Sequence, residues 1–265
     1  MRILEKLDFL IDYLLRENQD IIVENIPIDI AEKKSLYRSL CNIRDAKPIS
    51  REYIKIENEY LQEELSKKEI TSIEDIKTIE ESNLKNADRI CLWKGDITTL
   101  KVDSIVNAAN SQGLGCFIPC HKCIDNAIHS ASGISLRLEC NEKMQSIKKL
   151  ETGKAFITKG YNSSCKYVIH TVGPIIYSDV TELEVSQLEE CYINSLKLAI
   201  QNNIKTIAFP CISTGEFRFP KDKACQIAIR TVNNFLSKNR NRFEKVIFNV
   251  FSEEDYSIYF KEMKV

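Results

Sequence analysis

Three cysteines and a histidine stand close together near the middle of the sequence. Cys116, Cys120 and Cys123 fall within eight residues, with His121 among them and Pro119 stiffening the turn. Thiolate and neutral imidazole are ligands that Zn²⁺ prefers, and a catalytic zinc site commonly keeps three protein ligands and one open position. The spacing differs from that of two Cys-x-x-Cys pairs. It leaves two interpretations open: a metal site, and a turn with buried thiols and one hydrogen-bonded histidine.

Small and amide-bearing residues follow four β-rich runs of the sequence. They occupy 95–98, 107–110, 171–174 and 211–217. In open parallel sheets, ligands bind beyond the carboxyl ends of the strands, so these four loops are expected to share one edge. The loop 211–217 runs from a strand into a helix, where backbone N–H groups can receive a phosphate.

The elements that must position these loops alternate along the second part of the chain. Helical stretches separate the short β-rich runs, which predicts a layered α/β domain with a mainly parallel central sheet. The predicted strands are 89–93, 103–106, 155–159, 167–171, 206–210 and 245–251. The predicted helices are 125–132, 182–203, 221–237 and 255–263.

The first part of the chain is predicted to be helical. Apolar residues recur at helical spacing over 4–15, and similar patterns cover 31–43 and 51–68. Ser50 is a suitable N-cap for the third helix, directly after Pro48. The polar stretch 69–86 is expected to be a connector with room for one short helix. We therefore divide the chain into a helical N-terminal extension (1–87) and an α/β domain (88–265).

Composition excludes several classes of protein. The 265 residues carry 37 basic and 38 acidic side chains, so the basic excess of a general nucleic-acid binder is missing. The apolar runs stay short of the roughly 20 residues that cross a bilayer. Charged residues also interrupt the apolar residues at the N-terminus, so this segment lacks the uninterrupted apolar core of a signal peptide. We expect a soluble cytoplasmic protein without membrane or nucleic-acid partners, whose other seven cysteines are small buried hydrophobes.

Four motifs carry a resemblance to a known family. GDIT, IVNAAN, VIHTVGP and STGEFRFP, in this order and spacing, resemble the macrodomain, an ADP-ribose-binding module with a three-layer α/β/α fold and a mixed, mainly parallel sheet. The stretch GCFIPCHKCIDNAIH resembles the zinc-containing macrodomains of bacteria and fungi. In that branch an N-terminal helical extension is usual, and some members are encoded beside a sirtuin-type ADP-ribosyltransferase, which the resemblance implies as a partner.

The resemblance implies roles for particular residues. Asp96 would hydrogen-bond the adenine amino group, 213–217 would cover the diphosphate and distal ribose, and Asp125 and Asn110 would be catalytic. The implied ADP-ribose-binding residues are Asp96, Ile97, Asn110, Asp125, Ser213, Thr214, Gly215, Glu216 and Phe217. Other interpretations stay open, because Asp96 can cap a turn, Asp125 can stabilise a helix N-terminus, and Asn110 can form a turn.

The resemblance also implies a metal site and an activity. Cys116, His121 and Cys123 match the Zn²⁺ ligands of the zinc-containing branch, with Cys120 as a bystander; a closed Cys₃His site using all four residues is the alternative. The implied enzyme is a zinc-dependent hydrolase that releases ADP-ribose from mono-ADP-ribosylated, acidic side chains. A non-catalytic ADP-ribose reader with a structural zinc, and a redox sensor or zinc store, are the competing hypotheses.

Three further residues have no single role assigned by the sequence: Arg218, His129 and His170. The glycine run that follows NAAN in many macrodomains is replaced here by 115–123, and many members have Gly in place of Arg218, which can meet the diphosphate or point to solvent. His129 lies one helical turn after Asp125 and can orient it or simply pack. His170 ends a predicted strand and is expected to be structural.

Overall fold

The computed structural model describes residues 1–18, 20–79 and 82–264. Its strands are β1 (Thr71–Ser72), β2 (Ile90–Lys94), β3 (Leu100–Lys101), β4 (Ser104–Ala108), β5 (Ala155–Lys159), β6 (Tyr167–Thr171), β7 (Thr206–Phe209) and β8 (Lys245–Val250). Six of them form one sheet in the order β2-β8-β7-β4-β6-β5. All neighbours in it are parallel except β5, which runs antiparallel to β6. Sheets of this kind are buried on both faces, which explains the nearly continuous apolar strands β4, β7 and β8.

Helices cover both faces of this sheet. They are α1 (Ile3–Glu17), α2 (Ile30–Ile43), α3 (Arg51–Ser66), α4 (Ile124–Ser132), α5 (Ile134–Ile147), α6 (Glu182–Gln201), α7 (Lys221–Lys238) and α8 (Glu253–Met263). Helices α6, α7 and α8 share one apolar cluster with the sheet, and α4 and α5 share another. The predicted fold class, a three-layer α/β/α arrangement with a mixed and mainly parallel sheet, is confirmed.

Helix α5 is an element that the sequence did not predict. Ile134, Leu136 and Leu138 alternate with polar residues, a two-residue period that is typical of a strand. In the structure the helix buries Ile134, Leu136 and Cys140 together with the charged Arg137, so its buried face is not purely apolar. Gly133 separates α5 from α4 with a φ of 85°, a left-handed conformation that favours glycine.

The predicted N-terminal helices are present. Helices α1, α2 and α3 bury a common apolar cluster, and Ile134 at the start of α5 belongs to it. Ser50 caps α3 as expected, because its Oγ accepts from the Tyr53 N–H at 3.1 Å. Such a cap contributes about 1 kcal/mol to stability. The helical extension therefore packs against the α/β layers through α5.

The connector after α3 adds a second, small sheet. β1 pairs in parallel with β3, and a 3₁₀ turn over Ile73–Asp75 is the short helical segment there. Residues 80 and 81 of the predicted connector lie outside the described residues, and the boundary between residues 87 and 88 stays a prediction. Within 1–18, 20–79 and 82–264, no helix combines the length and the apolar character that a bilayer crossing requires.

Candidate active site

The loops at the carboxyl ends of the strands enclose a cavity of about 540 Å³. The loops after β4, β6, β7 and β8 and the start of α4 contribute to its wall. The structure brings together there all of the predicted site residues except Asp96 and Ile97. Those lining the cavity are Asn110, Cys116, His121, Cys123, Asp125, Ser213, Thr214, Gly215, Glu216 and Phe217.

One wall of the cavity carries two thiols and an imidazole. The ligand atoms of Cys116, His121 and Cys123 all lie within 4.8 Å of one another. His121 Nδ1 is 3.6 Å from Cys116 Sγ, while its Nε2 is 3.5 Å from the Glu216 carboxylate. A carboxylate behind a ligating histidine is the usual way of fixing the ring and its tautomer. This donor set, facing a cavity, fits Zn²⁺.

The backbone of α4 fixes the position of Cys123. Cys123 is the N-cap of the helix, and its Sγ accepts from the Asn126 N–H at 3.4 Å. Burial raises the pKa of the Cys123 thiol to about 12. A neighbouring cation would favour the thiolate that metal ligation needs.

Cys120 points elsewhere. Its Sγ lies 3.2 Å from Ser39 Oγ and 3.4 Å from the Ser35 carbonyl oxygen, both on α2. Among the described residues, the group that can share a metal ion at this wall comprises Cys116, His121 and Cys123, without Cys120. The geometry therefore favours the three-ligand arrangement over the closed site of four.

Asp125 lies in the first turn of α4 at the floor of the cavity. Only 5% of the residue is exposed, and its Oδ1 accepts a 2.7 Å hydrogen bond from Asn107 Nδ2. Burial raises the pKa of this carboxyl to about 6, and the Asn107 hydrogen bond opposes the rise. A carboxylate with few partners and access to the cavity can accept a proton from a bound water.

Two buried histidines lie behind Asp125. Asn107 Nδ2 also donates to His170 Nδ1 at 3.1 Å, so the amide ties that ring to the carboxylate. His129 Nε2 is 3.6 Å from Asp125 Oδ1, too far for a hydrogen bond. Neither ring nitrogen of His129 has a hydrogen-bond partner within the described part of the chain. Burial lowers the pKa of both imidazoles, that of His170 to about 3, so both are neutral.

The loop 211–219 presents backbone donors to the cavity. Among the described residues, the N–H groups of Gly215, Glu216 and Phe217 have no protein acceptor. Ser213 has a φ of 67°, and Gly173 leaves room for it, since a Cβ on Gly173 would lie 1.9 Å from Ser213 Oγ. Successive N–H groups in a turn of this kind form a concave anion site. Arg218 is exposed and does not line the cavity.

The predicted adenine-binding residue lies outside this cavity. Asp96 Oδ1 accepts from the Thr98 N–H at 3.0 Å and so caps a 3₁₀ turn, whereas Oδ2 lies 3.4 Å from Lys68 Nζ. Ile97 is buried in the core. The loop of Asp96 still reaches the cavity, because the lining residue Asn249 donates through Nδ2 to the Gly95 carbonyl oxygen. One carboxylate oxygen of Asp96 is thus structural, and the other faces a lysine.

Asn110 is also partly engaged in the local structure. Its Oδ1 accepts from the Gln112 and Gly113 N–H groups at 3.0 and 3.2 Å, and its Nδ2 donates to the Gly115 carbonyl oxygen at 3.2 Å. The side chain therefore shapes the start of the loop that carries Cys116. This agrees with the open interpretation of Asn110 as a turn former, and it leaves the amide at the cavity edge.

Sequence reasoning missed some residues of the cavity. Phe251 is 80% exposed at the rim, and Asn249 lines the wall. Both lie at the carboxyl end of β8, within the predicted strand 245–251, for which the sequence predicted no site residue. Extending the strand-end rule to the last residues of this strand would have indicated them.

Comparisons with known proteins show which family and which enzymes this chain is similar to. The Macro domain profile matches residues 106–228. A protein-ADP-ribose hydrolase of Treponema medium is 48% identical over 260 residues, covering 98% of each chain. A protein-ADP-ribose hydrolase of Staphylococcus aureus (strain COL) is 44% identical over 256 residues, covering 96% of this chain and 93% of the relative. These relatives confirm the prediction of a hydrolase.

Solved macrodomain structures are also similar to this chain. The Trypanosoma brucei macrodomain in complex with ADP-ribose matches with a TM-score of 0.66 and 30% identity, over 81% of this chain and 91% of that one. A mutant of the Oceanobacillus iheyensis macrodomain with ADPR matches with a TM-score of 0.61 and 36% identity, over 69% and 95%. From the identity and coverage of these relatives, the chain belongs to the macrodomain family.

Proposed function

We propose that this hydrolase binds ADP-ribose and removes it from mono-ADP-ribosylated proteins, with Zn²⁺ held by Cys116, His121 and Cys123 and with acidic side chains as the modified groups. The observation that carries the proposal is the sharing of one cavity. The Cys₂His group, the buried Asp125 carboxylate and the segment Gly215, Glu216 and Phe217, whose N–H groups have no acceptor among the described residues, all line it. Relatives named protein-ADP-ribose hydrolases, and macrodomain structures solved with ADP-ribose, support the ligand and the reaction.

The loop 211–219 would bind the diphosphate of the ligand. Backbone N–H groups stabilise phosphate oxygens without bringing a mobile side chain into the site. Asp96 Oδ2 would accept from the adenine amino group, and the exposed ring of Phe251 offers an aromatic surface at the rim. These contacts would place the distal ribose between Asp125 and the Cys₂His wall.

Asp125 would act as the base. The reaction adds water across the bond between C1″ of the ribose and the side-chain oxygen, so that free ADP-ribose leaves and the protein carboxylate is restored. Asp125 would take the proton of that water, and Asn107 holds its carboxylate in place through the 2.7 Å hydrogen bond. When bound, zinc would supply Lewis-acid chemistry beside the cavity. A sirtuin-type ADP-ribosyltransferase is the proposed supplier of the substrate.

The test is release of ADP-ribose from a protein mono-ADP-ribosylated on glutamate, with zinc-loaded protein, with a strong chelator, and after zinc is restored. We expect release that stops on chelation and returns with zinc. Release that ignores the chelator would remove the zinc dependence and keep the hydrolase. The same assay on serine- and arginine-modified proteins tests the preference for acidic side chains, because equal rates on all three would overturn it.

A further inference from the structure

The loop that carries the proposed zinc ligands has little structure of its own. In the described part of the chain, the only backbone hydrogen bond within 115–123 runs from the His121 N–H to the Ile118 carbonyl oxygen, at 3.3 Å. Cys120 has a φ of 50°, an unfavourable backbone conformation for a residue with a Cβ. Hydrogen bonds from other segments of the chain must therefore fix the shape of the loop. We call residues 115–123 the ligand loop.

Helix α2 of the N-terminal extension contacts the ligand loop through Arg38. The Arg38 guanidinium donates through Nη2 to the His121 carbonyl oxygen at 3.1 Å. It also donates to Asn126 Oδ1 at 2.6 and 3.1 Å, and the amide of Asn126 donates in turn to the Ile118 carbonyl oxygen at 3.0 Å. One arginine thus holds the backbone of a proposed ligand directly and the middle of the loop through an asparagine.

A second contact from α2 fixes the strained residue. The Cys120 N–H donates to Asn42 Oδ1 at 2.9 Å, and Asn42 is only 2% exposed. The Cys120 thiol lies against Ser39 Oγ on the same helix. These bonds account for the orientation of Cys120 toward α2 and away from the Cys₂His group.

Arg137 closes the arrangement from the α/β side. Its Nη1 donates to the carbonyl oxygens of Cys41, Asn42 and Arg44 at 2.9, 2.8 and 2.6 Å, which are acceptors at the C-terminal end of α2. Its Nε and Nη2 donate to the carbonyl oxygens of Leu114 and Cys116 at 2.8 and 3.3 Å. The same buried guanidinium therefore binds the end of α2 and the start of the ligand loop.

We propose that α2 positions the ligand loop for zinc binding, with Arg38 as the positioning residue that holds the loop in its metal-binding shape. The proposal rests on the proposed zinc site and adds to it a role for the N-terminal extension. The groups that fix metal ligands from behind commonly change metal affinity by about 10- to 100-fold when they are removed. Within the described residues, the hydrogen bonds of Arg38 go to the His121 carbonyl oxygen and to Asn126, so its effect is transmitted through the loop backbone.

The experiment measures zinc affinity in the full chain by competition with a chromogenic chelator. Arg38→Ala is expected to weaken zinc binding by about 10- to 100-fold. Arg38→Lys should weaken it less, because an ammonium still donates to one acceptor although it cannot serve both as the guanidinium does. In the metal-free protein, a lysine-specific protease should cut faster after Lys122, an exposed residue of the loop, in Arg38→Ala than in the native chain. Arg16→Ala, an exposed arginine of α1, is the matched control.

Zinc affinity and Lys122 cleavage in Arg38→Ala that match those of Arg16→Ala would overturn the proposal. A circular dichroism spectrum and a metal-free unfolding temperature close to those of the control would show that Arg38→Ala is folded. If the native chain itself takes up no zinc, the proposed zinc site fails and this role of Arg38 fails with it. By contrast, if the native chain and Arg38→Ala bind zinc equally well, the zinc site stands and only the role of Arg38 fails.

Discussion

Among the described residues, two groups of histidine and cysteine side chains meet the same 4.8 Å limit and differ in what surrounds them. The ligand atoms of Cys116, His121 and Cys123 lie within 4.8 Å of one another, and so do those of His129, Cys140 and His170. The first group lines the cavity on a loop held by α2, whereas the second is buried between α4, α5 and β6. Proximity alone therefore does not distinguish a metal site from a core cluster.

Hydrogen bonding and burial make the distinction. Asn107 Nδ2 can only donate, so His170 Nδ1 accepts, and the proton of the neutral ring resides on Nε2, which lies 2.9 Å from Thr158 Oγ1. Burial raises the pKa of the Cys140 thiol, which keeps it protonated. His170 also stacks on Phe156 with ring centroids 4.6 Å apart. The second group is therefore a satisfied part of the core, except at His129.

The strongest test acts on the carboxylate between the two groups. Asp125→Ala is expected to slow ADP-ribose release by about 10²–10⁴-fold, the usual contribution of a positioned base. Single-turnover release measures it, with the exposed Asp179→Ala as control. Near-native turnover in Asp125→Ala would remove Asp125 from the reaction and leave the cavity wall as the centre of the chemistry.

Exchange of one thiol in each group tests the comparison directly. Cys116→Ser should weaken zinc binding by more than the roughly 10- to 100-fold expected for a supporting residue, since it removes a ligand. Cys140→Ser should retain zinc and lower stability alone, because a hydroxyl replaces a buried thiol. Zinc content after dialysis reports both. Loss of the metal from Cys140→Ser alone would reverse the assignment of the two groups.

At Glu57, burial likewise favours the neutral form of the side chain and so raises the pKa of the carboxyl. It is fully buried, accepts from Tyr37 Oη at 2.8 Å and from the Ile134 N–H at 3.0 Å, and burial raises its pKa to about 7. The folded state then binds a proton more tightly than the unfolded state, so stability should fall as pH rises from about 4.5 to about 7, by an amount on the order of 3 kcal/mol.

Urea unfolding of the native chain and of Glu57→Gln across this pH range measures the effect. The glutamine variant should lose this part of the pH dependence, because it has no proton to release. If the free energy of unfolding of Glu57→Gln depends on pH as that of the native chain does, another group is responsible for the pH dependence. That result would also weaken the argument that burial keeps the second histidine group neutral.

The hydroxyl that faces His170 provides a smaller test. Thr158→Val removes the Oγ1 partner of the ring and leaves a buried donor unpaired, at a cost of roughly 1–3 kcal/mol in the free energy of unfolding. Zinc content should not change. If zinc were lost together with stability, the two groups would be coupled and the distinction between them would fail.

The smallest expected effect concerns a contact between the N-terminal extension and the predicted adenine-binding residue. Lys68 Nζ lies 3.4 Å from Asp96 Oδ2, and both side chains are nearly half exposed. Such pairs contribute about 0–1 kcal/mol. Lys68→Met should therefore tighten ADP-ribose binding by a few-fold at most in calorimetric titration, because it frees the carboxylate oxygen. Weaker binding would instead make Lys68 a contact of the ligand.

The sequence alone predicted the layered α/β class and most helices, because apolar periodicity and caps such as Ser50 are local signals. It could not reveal α5, where the alternation of Ile134, Leu136 and Leu138 imitates a strand. The clustering of Cys116, His121 and Cys123 was visible as spacing, and the resemblance selected these three. The role of α2 could not be predicted, because hydrogen bonds between distant segments, such as Arg38 to His121, produce no periodic pattern in the sequence.

The long chain separation of these contacts has a consequence for how the protein matures. Arg38 and His121 are 83 residues apart, and Arg137 reaches back 96 residues to the Cys41 carbonyl oxygen. Contacts between such distant residues are slow to form, since the chain must first close long loops. During synthesis α2 would pair with its partner segments only after they leave the ribosome, and the proposed metal would reach its full affinity after the extension has docked. Metal retention would then report on the assembly of the whole chain.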